Sequence, residues 1–327
     1  MKEREIRSSE THKKYLELVR ADAEKIFRDK STFQHLPCPA CGEDRSVVRF
    51  VKHEFHYVQC PACHSLYNNP RPLYSEIQKL YRDSPSTKYW VEEFFMPFVE
   101  ARREKIFRPR AEYIAKTFPQ FEHEAIGDIG AGFGLFLEEL RNIWGKAALR
   151  AIEPSEDMAR ICRSKGLVVL ESMVEDLEER NEPFDLLTSF ELLEHLHDPV
   201  SFVRKVNALL KRGGIFQLTT LNGLGFDIQI LWEKSKSISP PHHLNFFNPY
   251  SISLLLKRCG FEVLEVATPG KLDWDIVESS VQDGDAVIGR FFETVRTFGS
   301  EVSKQRLQEW IAEFNFSSHM RVIARRI

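Results

Sequence analysis

From about residue 124 the chain alternates short apolar runs with amphipathic runs of helical length, and this alternation constrains the fold more than any other feature. The apolar runs are AIGDIG, ALRAIEP, LVVLES, FDLLTSFEL, IFQLTTLN, FEVLEVATP and HMRVIARR. Between them lie LFLEELRNI, SEDMARICRSKG, DPVSFVRKVNALLKRGG and NPYSISLLLKRCG. Glycines stop the last three of these helices, and Asn248-Pro249 opens the fourth as N-cap and first-turn proline. The order predicts an α/β fold, an open and mostly parallel sheet with helices on both faces. Residues 272–317 are too long for a hairpin loop and contain the helical pieces IGRFFETVRTF and KQRLQEWIAEF, so they read as a helical insertion before the last strand.

The first strand runs into Gly127-Asp128-Ile129-Gly130-Ala131-Gly132-Phe133-Gly134. Glycines there permit a tight turn, bring the next helix close to the sheet and leave bare backbone for a ligand at the carboxyl end of the strand. The spacing G-x-G-x-G is not the G-x-G-x-x-G of dinucleotide sites. Glu153 ends the next strand, where a carboxylate can accept two hydrogen bonds from a ribose diol. The plainer reading of Glu153 is a surface acid at a strand end.

DIGAGFG, AIEPSEDM and FDLLTSFELLEHLHDP, in that order, resemble class I S-adenosylmethionine-dependent methyltransferases, closest in flavour to the branch of the ubiquinone-biosynthesis O-methyltransferases. The resemblance covers about residues 105–265, with HMRVIARR as the family's last strand. It implies a Rossmann-like seven-stranded sheet with an antiparallel last strand, and S-adenosylmethionine as cofactor. By that resemblance Asp128 and the turn of Gly130, Gly132 and Gly134 face the methionine part, Glu153 the ribose and Met158 the adenine. Phe190 lines the cofactor from the end of the fourth strand, and Arg110 matches an arginine suited to a carboxylate. Where many relatives carry an acid after the third strand, this chain has Met173, so adenine recognition is assigned to backbone at Met173 and Val174.

Glu191, Glu194 and His195 form E-x-x-E-H, whose spacing places acids and imidazole on one side of a helical turn. The resemblance associates magnesium with this motif; the alternative is a pocket wall or a general base formed by Glu194 and His195. PPHHLNFF resembles a histidine-bearing segment near the acceptor in related enzymes, and His243 matches that histidine. An imidazole there can remove a hydroxyl proton, or can simply order its loop. Lys271, Asp273, Trp274 and Asp275 offer an aromatic face with polar neighbours that suits a sugar, or else a helix start with core residues.

Cys38, Cys41, Cys60 and Cys63 form two CPAC knuckles spaced C-x2-C-x18-C-x2-C, the pattern of a zinc ribbon with a closed tetrathiolate shell. The alternative is a degenerate ribbon without metal. The expected organisation is an N-terminal helix at 1–35, the ribbon at 36–72, a helical linker or lid at 73–120, and the cofactor-binding domain at 121–327. A net charge of −3 supplies no basic field for nonspecific nucleic-acid binding. No run reaches membrane-span length and MKEREIRSSE lacks a signal-peptide core, which reads as cytoplasmic. The leading expectation is methyl transfer to a small-molecule or glycan acceptor, with oxygen as the expected acceptor atom. An RNA methyltransferase docking through the ribbon and a noncatalytic binding module are the alternatives.

Overall fold

The computed structural model describes residues 5–6, 8–178, 183–284 and 286–327. The first four residues and residue 7 of the expected leader segment, and residue 285 of the expected insertion, lie outside the described residues.

Seven strands form the main sheet: β4 (Ala125–Ile129), β5 (Ala148–Ile152), β6 (Val168–Leu170), β7 (Phe184–Phe190), β8 (Leu210–Leu221), β10 (Phe261–Ala267) and β11 (His319–Arg326). Their spatial order is β10-β11-β8-β7-β4-β5-β6. β4, β5, β6, β7 and β8 run parallel, while β11 is antiparallel to both β8 and β10. Chain order reverses direction between β4 and β7, which opens a crevice above their carboxyl ends. Ile126, Leu186, Ile215 and Ile323 of the sheet meet Ile114, Phe136 and Leu140 on one face. Ile129, Leu187, Phe216 and Val322 meet Phe202, Val206, Ile252 and Leu256 on the other. The helix expected to stop at the glycines after Leu210 ends at Leu209 instead. Leu210 is claimed by pairing with Phe184, so β8 begins there and Gly213 turns inside it. The insertion between β10 and β11 is helical, with Asp273–Gln282, Arg290–Phe298 and Glu301–Glu313.

The cysteine-bearing segment is not a separate bead. Its strands β1 (Val47–Lys52), β2 (Phe55–Gln59) and β3 (Leu66–Asn68) form an antiparallel sheet that continues onto β9 (Asn245–Phe246), the strand just after His242 and His243. Cys38, Ala40, Cys60, Cys63 and Tyr67 share a core with Phe247 and Ile252. The N-terminal helix Ser9–Ile26 is capped by Ser8, and its Ala23, with Phe27 just beyond, buries against Phe55, Leu66 and Leu80. Among the described residues no helix is long and apolar enough to cross a membrane.

Candidate active site

The crevice continues into a cavity of ≈ 2390 Å³. Small-molecule sites usually span about 300–1,000 Å³, so there is room for two ligands side by side. One end is the glycine turn. Gly130, Gly132 and Gly134 all take the left-handed conformation, with φ of 71°, 55° and 71°. They do different things. A Cβ on Gly132 would meet nothing within 4 Å, so that backbone lies bare to the cavity. A Cβ on Gly134 would stand 2.6 Å from Leu167 and 3.0 Å from Cys162. Gly134 therefore seats the helix Leu135–Ile143 against its neighbour and is not among the cavity residues, which corrects its placement among the cofactor contacts.

Two acids flank the bare backbone. Asp128 is 2% exposed, and Thr188 Oγ1 donates to its Oδ1 at 2.7 Å. Burial pushes its carboxyl up to about 7, against the pull of Thr188 and Arg110. Glu153 is 5% exposed and accepts from Gly132 N at 2.8 Å and Ser155 N at 2.9 Å. Burial raises it as well. Among the described residues neither carboxylate has an ion-pair partner, although both line the cavity. Buried acids held only by neutral donors fit a ligand that brings positive charge and hydroxyls. Met158, Met173, Val174 and Phe190 line the same space, with Met173 capping a short turn over Val174–Asp176.

Arg110 lines the cavity and is already engaged within the protein. Its Nη2 donates to Glu191 Oε1 at 2.9 Å and Thr219 Oγ1 at 3.4 Å, and its guanidinium lies 4.7 Å from the Phe190 ring centre. Glu191 also takes His319 Nδ1 at 2.8 Å and Thr219 Oγ1 at 2.6 Å. Burial alone would raise Glu191; His319 and Arg110 outweigh it and hold the carboxyl far below its usual range. Glu191 sits at φ 53°, an uncommon backbone state for a non-glycine residue and one that clusters at functional sites. Glu194 is buried, accepts from Thr220 Oγ1 at 2.8 Å and is pushed up to about 8 by burial and then by Glu191. The proposed magnesium trio is corrected here. Glu191, Glu194 and His195 are spent on different partners, and among the described residues only the four cysteines gather three or more ligand atoms within 4.8 Å.

His195, His242 and His243 stand together and also line the cavity. His243 Nδ1 lies 2.6 Å from Ser237 O. A carbonyl oxygen only accepts, so Nδ1 carries the proton and Nε2 is left with its lone pair. The same argument applies to His195, whose Nδ1 is 3.0 Å from His242 O and 2.9 Å from Tyr81 OH. Burial lowers His243 to about 4 and His242 to about 3, and takes His195 well below its usual value. All three are neutral at pH 7. Tyr81, Tyr15 and His319 line the cavity too, and sequence reasoning did not single them out for it. Tyr15 carried a partial signal, as an apolar-face residue of the leader helix. Of the acceptor candidates in the insertion, Lys271 and Asp273 border the cavity while Trp274 and Asp275 do not. Asp273 is consumed by Ser317, Ser318 and Gln308, so the helix-start reading holds for it.

The cysteine cluster fits zinc. Sγ of Cys38 and Cys63 are 3.5 Å apart, as are those of Cys41 and Cys60. Tetrahedral zinc with bonds of about 2.3 Å wants sulfurs about 3.8 Å apart. The two knuckles are built alike. Gly42 and His64, each just past the second cysteine, return an amide to the carbonyl of the first, in left-handed backbone at φ 81° and 58°. The four cysteines fill the shell, so His53, His56 and His64 are not needed as ligands.

A mixed seven-stranded sheet with an antiparallel last strand, a triple-glycine turn and an acid ending the next strand define the class: a class I S-adenosylmethionine-dependent methyltransferase. A family model described as a methyltransferase domain matches residues 98–266, just over half of the 327 residues, and the chain belongs to that family. It is 27% identical over 171 residues to a ubiquinone biosynthesis O-methyltransferase of Xanthomonas euvesicatoria pv. vesicatoria, covering 48% of this chain and 70% of that protein. It is 32% identical over 125 residues to the protein of the same name from Hydrogenovibrio crunogenus, covering 36% of this chain and 51% of that one. A solved S-adenosylmethionine-dependent methyltransferase from Mesorhizobium loti overlays with a TM-score of 0.47 at 16% identity, over 68% of this chain and 100% of the other.

Proposed function

We propose that this methyltransferase acts on a hydroxyl of a small-molecule or sugar-like acceptor, with His243 as general base. The observation that carries the reading is one cavity lined both by two buried acids without a salt-bridge partner among the described residues and by neutral imidazoles. Asp128, the Gly130–Gly132 backbone and Glu153 would hold S-adenosylmethionine, with Met158, Met173 and Val174 around its base, Phe190 beside it and Arg110 at its carboxylate side. When bound, that cofactor supplies a methyl group already activated on a sulfonium. The protein's share is then to orient the acceptor, keep water out and take one proton. His243 Nε2 is the atom suited to that proton, since burial keeps it neutral and Ser237 fixes the tautomer. Oxygen is favoured as acceptor atom by the names of the relatives. The four cysteines would hold a structural zinc with no open position.

Calorimetry with S-adenosylmethionine tests the donor half: binding weakened about tenfold or more by Glu153→Ala supports it, and binding indifferent to that change defeats it. A radiolabelled transfer assay against nucleotide sugars, glycans, quinol precursors and RNA tests the acceptor half. With the acceptor found, His243→Asn should lower turnover by about 10²–10⁴-fold and leave cofactor affinity intact. Label entering RNA instead would favour ribbon docking of nucleic acid.

A further inference from the structure

The acceptor end of the cavity is built from two loops, 235–248 and 191–198, and the ribbon holds both. Tyr57 OH, on β2, donates to His243 O at 2.7 Å. Lys52 Nζ, on β1, donates to Ser235 O at 2.9 Å, in the turn whose Ser237 carbonyl fixes His243 Nδ1. Asn68 N donates to Leu244 O at 2.8 Å, and β3 then pairs with β9 through Leu66–Phe246 and Tyr67–Asn245. Arg71, at the ribbon's exit, is fully buried: Nη1 donates to His197 O at 2.7 Å and Nη2 to Asn245 Oδ1 at 3.1 Å. Asn245 Nδ2 in turn donates to Leu196 O at 2.7 Å, and Leu244 N to Glu194 O at 2.7 Å.

These bonds run toward one residue. Both the carbonyl of His243 and the turn that accepts its ring proton are held from the ribbon, so a shift of β1 and β2 would move the imidazole and free its tautomer. The metal cluster is close to the same strands. Cys60 directly follows β2, Asn248 Nδ2 donates to Cys63 O at 2.9 Å, and Arg258 Nη1 to Ala40 O at 2.5 Å. Among the described residues the donor end has no such tie; Gly130 and Gly132 are held by Ile152 O and Glu153 within the main sheet.

We propose that the ribbon is a working part of the acceptor site, in which Tyr57, Lys52 and Arg71 are positioning residues that fix the seat and the Nδ1–H tautomer of His243, so that removing metal from the four cysteines loosens the acceptor end and spares the donor end. This rests on the reading of His243 as acceptor-side base, but its test does not use turnover. Hydrogen exchange is followed by mass spectrometry on the full chain, zinc-loaded and chelator-stripped. Exchange at the His243 and Leu244 amides and across 191–198 should accelerate by about tenfold or more on stripping, with 125–135 unchanged. In parallel, zinc-loaded Tyr57→Phe carrying ¹⁵N-histidine should keep its metal and its cofactor affinity while the His243 ring signals move from the Nδ1–H pattern toward a tautomer mixture. Acceleration confined to 36–72, equal acceleration at 125–135, or an unmoved His243 signal in Tyr57→Phe each overturns the proposal. Failure of the untreated protein to bind S-adenosylmethionine would instead strike the functional reading and leave the exchange result standing.

Discussion

A buried acid without a salt-bridge partner can be poised by its surroundings to meet a cation, and Asp128 shows how the poise would be set. Burial lifts its carboxyl to about 7, so near neutral pH it is only partly ionised, and a cationic ligand must pull it to the charged form. Affinity for S-adenosylmethionine should therefore rise as pH goes from 6 to 8, by roughly tenfold per unit below the pKa, and level off above it. Asp128→Asn should bind weakly with a flat profile; calorimetry at three pH values decides. Asp128 and Glu153 stood out in the sequence as acids within and at the end of apolar runs, beside glycine and proline, and the structure finds both buried at the cavity. Glu191 was legible as an acid but not in its role. Its partners, Arg110, Thr219 and His319, come from three separate stretches of chain, and only the folded sheet brings them together. Gly134 was misassigned for a related reason: glycine needed for a ligand and glycine needed for helix packing look the same in a string of letters.

At the scale of elements the turn separates those two uses. Gly134→Ala puts a methyl against Leu167 and Cys162 in left-handed backbone, so strain of about 1–2 kcal/mol adds to overpacking of about 1–3 kcal/mol. Gly132→Ala carries only the strain, since its methyl meets open space, yet that space is where the cofactor is proposed to lie. Urea unfolding should thus find Gly134→Ala the less stable of the two, while calorimetry finds Gly132→Ala the poorer binder per kcal/mol of stability lost. The proposed zinc belongs to this scale also. The core beneath the two knuckles is the one shared with Phe247 and Ile252, and four thiols packed together gain little without a metal. Stripping zinc should lower the unfolding midpoint measurably, and Cys41→Ser should mimic it; differential scanning calorimetry checks both. The alternating strands and helices were readable because each hydrophobic period is local. The start of β8 was not, because Leu210 is taken from its helix by a strand 26 residues away in sequence. The joining of β3 to β9 was hidden for the same reason, since an edge strand of two residues leaves no periodic trace.

Over the whole molecule the buried titratable groups pull stability in opposite directions with pH. His242 and His243 have folded values of about 3 and 4, below the 6.5 of the unfolded chain. Between pH 3 and 6.5 the unfolded chain binds more protons at these sites, so stability rises with pH there and the gain is complete above 6.5. Glu194, at about 8 against 4.5 unfolded, and Asp128, at about 7 against 3.8, behave oppositely. They keep protons that the unfolded chain gives up, so their contribution is whole below about 4 and declines as pH rises to 8. His319, exposed but paired with the Glu191 carboxylate that raises it to about 9, adds to that alkaline decline. The two limbs cross, and the ligand-free protein should show a stability maximum near pH 6, between the histidine gain and the carboxyl loss. Urea midpoints measured from pH 4 to 9 test the dome, and Glu194→Gln should flatten its alkaline side while leaving the acid limb in place. A profile that climbs steadily to pH 9 would mean the carboxyls are not protonated in the fold. The acceptor end would then hold a second negative charge beside Glu191, where a neutral partner is inferred now.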